Sequence, residues 1–276
     1  MIHLFPDLKK RMISISIAYI VLMGVFIAIN PGINPLFPLI LALVGLFAVM
    51  FIHYVKSTNA HNRILNKLYE HLDVDGFLRE YMPKTKLPIK NRNYRLMITL
   101  HISNAYCAQG RFDEAAELLR SFVIEDTKDH EDDQIARFAI VSNLCYCAAQ
   151  KGDAETAQKY LDKLLVLRKE LEAIQESKPA KKRTVFNTEL NELILKYMTT
   201  NHVDVKALKT LIENNSQRLH RVTLSLWLAR GYLTLNNRRE AEKLLEQIVK
   251  TAPDLYPGRE AAALLRGLPG RDDENA

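Results

Sequence analysis

Two kinds of apolar pattern divide this chain. From Ile13 to Ile29 and from Leu36 to Val55 apolar residues fall on every side of a helix, and neither run holds Asp, Glu, Lys or Arg. Each run approaches the roughly 20 residues needed to cross a bilayer core. Beyond Val55 the apolar residues recur at i, i+3 and i+4 with polar residues between them, the pattern of amphipathic helices. Ile98, Ile102, Ala105 and Tyr106 form one stripe, and Ala115, Leu118, Leu119 and Phe122 form another. The turn between them, Gln109-Gly110-Arg111, is so short that the second helix must fold back on the first. The expected class is all-α, with a two-helix transmembrane hairpin over residues 13–55 and antiparallel helix pairs after it.

Asn30-Pro31-Gly32-Ile33-Asn34-Pro35 separates the two apolar runs and reads as a tight reversal. Lys9, Lys10 and Arg11 precede the hairpin, Lys56, Arg63 and Lys67 follow it, and the reversal is uncharged. Basic flanks stay on the cytoplasmic side, so both termini are expected there, at a bacterial plasma membrane. A cleaved signal peptide is the competing reading. The first run is long for one, no small-x-small cleavage site follows, and a second span begins at once.

Residues 1–12 are then a cytoplasmic tail and 56–90 a helical connector, through Ile64, Leu65, Leu68, Leu72, Phe77, Leu78 and Tyr81. Asp73 or Asp75 suits the cap of its second helix. Pro83 to Pro88 reads as a loop whose Lys84 and Lys86, with Lys90 after it, either meet anionic headgroups or stay solvated. Residues 91–268 hold the helix pairs, and 269–276 are a polar tail expected to be disordered.

The pairs resemble the tetratricopeptide repeat, a helix–turn–helix unit of about 34 residues. Ile102, Ser103, Tyr106, Ala115 and Leu119 stand at the marked places of that family, with Thr99 where tryptophan is frequent. Leu228, Ala229, Tyr232, Ala241, Leu245 and Pro253 repeat the pattern. A weaker copy, Ile194, Leu195, Met198, Ala207 and Leu211, lies one period earlier. Val141, Leu144, Cys145, Ala148, Gly152, Ala157 and Leu161 make a fourth, with alanine at the aromatic place. The resemblance implies a TPR-like α-solenoid of about four helix pairs.

Composition changes this picture little. The formal net charge of +6 is mild for 276 residues, and no basic stripe interleaves with aromatics, so nucleic acid is not an expected partner. Cys107, Cys145 and Cys147 fall on expected helices and suit a reducing compartment better than a disulfide scaffold. His61 and His71 lack a second ligand pair at metal spacing and read as surface or interfacial side chains. The acidic run Glu125 to Asp133 has no glycine and so is not a calcium loop. Ser177 to Thr184 reads as a basic loop, either solvated or touching lipid or an acidic partner. Neither a phosphate loop, a nucleophile elbow nor HExxH occurs. No catalytic role, cofactor or metal is expected.

The family resemblance implies binding instead, in a concave groove lined by first helices. The positions carried over are Leu100, Asn104 and Cys107; Ser142, Tyr146 and Ala149; and Leu226, Arg230 and Leu233. The family's carboxylate clamp is not expected, because Leu100, Thr223 and Trp227 stand where cations are required, although Asn104 and Asn143 suit its asparagines. The expected function is a membrane-anchored scaffold or adaptor for a protein or peptide, held in lipid by residues 13–55. The alternative is a regulatory receptor or enzyme accessory subunit that binds a signalling peptide or small ligand. The full chain should resist carbonate extraction from membranes, and a chain starting at Lys56 should not. Recovery of the intact chain in the soluble fraction would contradict the hairpin.

Overall fold

The computed structural model of the protein describes residues 6–30, 32, 36–89, 91–123, 130–174 and 178–268. These residues are helical or in short connections, with no strand among them. The α-helices are α1 (Pro6–Ile29), α2 (Leu36–Tyr69), α3 (Val74–Tyr81), α4 (Arg92–Gln109), α5 (Phe112–Arg120), α6 (His130–Gln150), α7 (Ala154–Ile174), α8 (Lys178–Thr200), α9 (Val205–Glu213), α10 (Arg218–Thr234), α11 (Arg238–Thr251) and α12 (Tyr256–Arg266). A short 3-10 turn, Met82–Lys86, follows α3.

Helices α1 and α2 are long and apolar enough to cross a membrane. Their large side chains face outward, Leu22 at 67% and Phe47 at 71% exposure, the reverse of a soluble core helix. They pair through a notch at Gly45, where a Cβ would lie 2.0 Å from the Tyr19 hydroxyl oxygen. That hydroxyl donates to the Leu41 carbonyl at 2.8 Å.

Helix α2 does not end where its apolar run ends. It continues for 34 residues, and its second half enters the core of the helical array. Ile64, Leu68 and Tyr69 of α2 share one apolar cluster with Phe77 and Tyr81 of α3 and with Ile98 and Ile102 of α4. Leu219, Val222 and Leu226 of α10, Leu245 and Ile248 of α11 and Ala261 and Leu265 of α12 belong to it as well. Asp73 caps α3 by accepting from the Gly76 amide at 2.9 Å, and Lys67 pairs with Glu80 across the α2–α3 corner. The apolar segment and the array are therefore joined by continuous helix and packed side chains.

The pairs α4–α5, α6–α7, α8–α9 and α10–α11 follow, and α12 returns to the first of them. The Tyr256 ring meets Phe112 edge-on at 4.9 Å, and Arg259 Nη2 donates to the Gln109 carbonyl at 2.7 Å. Gly110, which ends α4 at φ 78°, serves this contact twice. It takes a left-handed conformation that costs other residues more. It also leaves room for Tyr256, whose Cδ2 lies 2.9 Å from where a Cβ would stand. The array thus folds round until its last helix rests on its first turn.

Several expectations change. Residues 178–184 are not a loop but the opening turns of α8, where Pro179 suits a first turn and alanine, lysine and arginine extend a helix. Ser177 lies outside the described residues, as do Lys90 and 125–129 of the acidic run. Asp133 of that run is buried and paired with Arg92, and Asn93 Nδ2 donates to Asp132 at 2.7 Å, so this stretch ties α6 to α4. Lys84 does not face lipid or solvent; it is 9% exposed and sits against the α2–α4 core. Asn237 occupies the cap position of α11 without a side-chain capping bond.

Leu68 is fully buried at the junction of α2 with the array. Truncation there should lower stability by about 3 kcal/mol through lost contact and a residual cavity. Thermal or urea unfolding of the full chain in micelles should show this for Leu68→Ala. Val166→Ala, at a position 57% exposed, should stay within about 0.5 kcal/mol of wild type.

Candidate functional site

Closure of the array leaves a half-open cavity of about 100 Å³ at its centre. Asn104, Cys107 and Ala108 of α4, Tyr146 of α6 and Leu190 of α8 form one side. Leu219, His220, Thr223, Leu224 and Trp227 of α10, with Tyr256 and Pro257 of α12, form the other. The walls are mostly apolar, with an imidazole, an amide, three hydroxyls, an indole N–H and a thiol among them. None of the lining residues is Asp, Glu, Lys or Arg. Such a mixture, apolar with a few orienting polar groups, is the usual make-up of a small-molecule site.

Each polar group has a definable role. Asn104 Nδ2 donates to the Tyr69 hydroxyl at 3.0 Å. Tyr69 in turn lies 2.7 Å from His101 Nδ1. Thr223 Oγ1 donates to the Leu219 carbonyl at 3.0 Å, which leaves its oxygen lone pairs for a guest. The His220 ring meets Tyr69 edge-on at 5.4 Å, and burial lowers its pKa to about 4, so it is neutral near pH 7. Burial likewise pushes the Tyr146 phenol well above its usual range. The Cys107 thiol is raised by its contact with Cys147, 3.6 Å away, and by burial. Burial raises Cys145 to about 12, and its sulfur donates to the Ala157 carbonyl at 3.3 Å. These are packed thiols, not nucleophiles.

Next to the cavity lies a second polar group, where α2, α3, the 3-10 turn and α4 meet. The rings of His61, Tyr81 and His101 meet at tilted or edge-on angles with centroids 5.9–6.3 Å apart, and Lys84 lies close to His61. His71, by contrast, is on the surface. Burial, with the nearby Lys84 charge second, lowers the His61 pKa to about 4. Burial raises the Tyr81 phenol. His61 Nδ1 and the Tyr81 hydroxyl have no hydrogen-bond partner among the described residues. Three His, Cys, Asp or Glu side chains do not converge as a metal site requires among those residues.

Of the nine groove positions read from the sequence, Asn104, Cys107 and Tyr146 line the cavity. Ser142 and Ala149 are each 5% exposed and Leu226 1%; they are interior side chains. The Ser142 oxygen accepts from Asn191 Nδ2 at 3.1 Å. Leu100 and Leu233 are half-buried against the apolar clusters. Arg230 is paired with Glu260 of α12 at 2.7 Å and lies over the Trp227 ring at 4.7 Å. Ser142, Ala149 and Leu226 are therefore covered by neighbouring helices of the protein itself. Sequence reasoning missed His220, Leu190, Tyr256 and Pro257 as wall residues. Periodicity marks which face of a helix is buried, but only closure of the array reveals that α12 covers it.

No family model, characterised protein or solved structure matches this chain.

The two lowered histidines make stability depend on pH. Unfolded, each imidazole takes a proton near pH 6.5; folded, each waits until about pH 4. Below pH 6.5 the unfolded chain binds more protons, so stability is full above that value and falls as pH drops towards 4. The loss should be roughly 2 kcal/mol per imidazole at pH 4, once discounted for the solvent contact that each ring retains. His220→Phe should flatten the decline in unfolding midpoint over this window, and an equal decline in that variant would contradict the assignment.

Proposed function

We propose that the protein is a membrane-tethered, non-catalytic receptor or accessory subunit whose helical array encloses a small ligand. On this reading α1 and α2 span the membrane as a hairpin, and basic flanks keep both termini on the cytoplasmic side. The pairs α4–α5 to α10–α11 are read as four tetratricopeptide-like repeats. Burial at the marked positions supports that: Ile102, Ser103, Ala115 and Leu119 in the first copy, and Leu228, Ala229, Ala241 and Leu245 in the last, are all 4% exposed or less.

One observation carries the choice. Tyr69 belongs to the same helix as the second apolar segment, accepts a hydrogen bond from cavity-lining Asn104 and touches cavity-lining His220. A guest that altered Asn104 or His220 would bear on α2 within one residue contact. The adaptor reading, in which a polypeptide lies along the concave face, needs that face open. The burial of Ser142, Ala149 and Leu226 and the seat of α12 on the first turn weigh against it.

Full-length protein should be purified from its native membranes, denatured, and the released small molecules identified by mass spectrometry. A compound near one equivalent, absent from a Thr223→Leu preparation, is the expected result. Release of none, together with a polypeptide crosslinked at Leu100 and Asn104, would favour the adaptor and overturn this reading.

A further inference from the structure

The walls of the cavity restrict the chemistry of what fits. A volume of about 100 Å³ is of the order of the engineered apolar cavity of about 150 Å³ that takes up benzene. The half-open mouth admits a substituent beyond the ring. Leu190, Leu219, Leu224, Trp227 and Pro257 supply apolar surface for the body of a guest. The polar groups include the His220 imidazole, the Asn104 amide, the Tyr146 and Tyr256 hydroxyls, the Thr223 hydroxyl, whose oxygen retains its capacity to accept, and the Trp227 indole, whose Nε1 has no hydrogen-bond partner among the described residues. Charge is disfavoured. Arg230, which contacts Trp227 and Tyr256 of the wall, is already matched by Glu260, and a guest ion would lose hydration with no counter-ion among the lining residues.

We propose that the cavity between α4, α6, α8, α10 and α12 binds a small uncharged molecule built on a single ring that carries one amide or hydroxyl group. The ring lies against Trp227 and Leu224, and the polar group faces His220, Asn104 and Thr223. This deepens the receptor reading and rests on it for biological meaning, but the site can be tested alone.

Trp227 is the chain's single tryptophan and forms part of the wall, so its emission reports occupancy without labelling. Full-length protein in micelles should be titrated with benzamide and, separately, with benzoate, which has the same shape and a full negative charge. The expected result is a saturable change in Trp227 emission and a raised unfolding midpoint with benzamide. Benzoate should bind at least about tenfold more weakly, since burying its charge unpaired costs more than the 1.4 kcal/mol that tenfold represents. Thr223→Leu, which fills the cavity, should remove the benzamide response. If that variant fails to fold, the wild-type comparison decides without it. No saturable response to benzamide, or equal affinity for benzoate, would overturn the proposal. A charged or long-chain compound released from native protein would refute this ligand class but leave the receptor reading standing. Benzamide binding in a protein that releases no native compound would do the opposite.

Discussion

The structure depends on α2 being one helix with two kinds of surface, one apolar and outward-facing and one built into a packed core. Its first half is apolar and outward-facing, and its second half is a core element of the array. A helix satisfies its own backbone hydrogen bonds beneath either surface, so the change from one to the other requires no break. What changes is only which side chains cover it. Burial of Leu68 alone contributes of the order of 2 kcal/mol, and Ile64, Tyr69, Phe77 and Tyr81 add to the same junction. The junction is thus a packed core, with no flexible tether between the apolar segment and the array.

Closure is the second constraint. An array of helix pairs needs its terminal apolar faces covered, because each unit buries only its neighbours' surface. Here the first face is covered by α2 and α3, and the last by α12. Both covers also touch distant parts of the array. α2 meets α10, where Arg218 reaches the Glu70 carbonyl at 3.5 Å, and α12 meets the α4–α5 turn. The space left between these elements is small and is walled by α4, α6, α8, α10 and α12. Tyr69 links α2 to that space through Asn104 and His220 of its wall.

Much of the fold was legible in the sequence, for definite reasons. The runs Ile13–Ile29 and Leu36–Val55 are apolar all round, and both fall within single helices. The stripes on either side of Gly110 predict a helical hairpin, and α4 and α5 form it. Less could be read where a residue's partner is remote. The polar stretch Lys56 to Asn59 marks a change of surroundings, which reads like a boundary but is mid-helix. Lys84, Asp132 and Asp133 look like solvated charges until the elements that cover or pair with them are in place. Of the groove residues that the family resemblance implied, Asn104, Cys107 and Tyr146 line the cavity, whereas Ser142, Ala149 and Leu226 face inward because other helices cover them.

The central claim is that the apolar hairpin and the helical array form one mechanical unit through α2. Residue-resolved amide hydrogen exchange on the full chain in lipid nanodiscs addresses it directly. Protection should run unbroken from Leu36 to Tyr69, with Lys56–Tyr69 exchanging as slowly as the buried stretch of α10 and on the same global opening. Fast exchange between Lys56 and Arg63, with α10 still protected, would show a hinged tether and contradict the account.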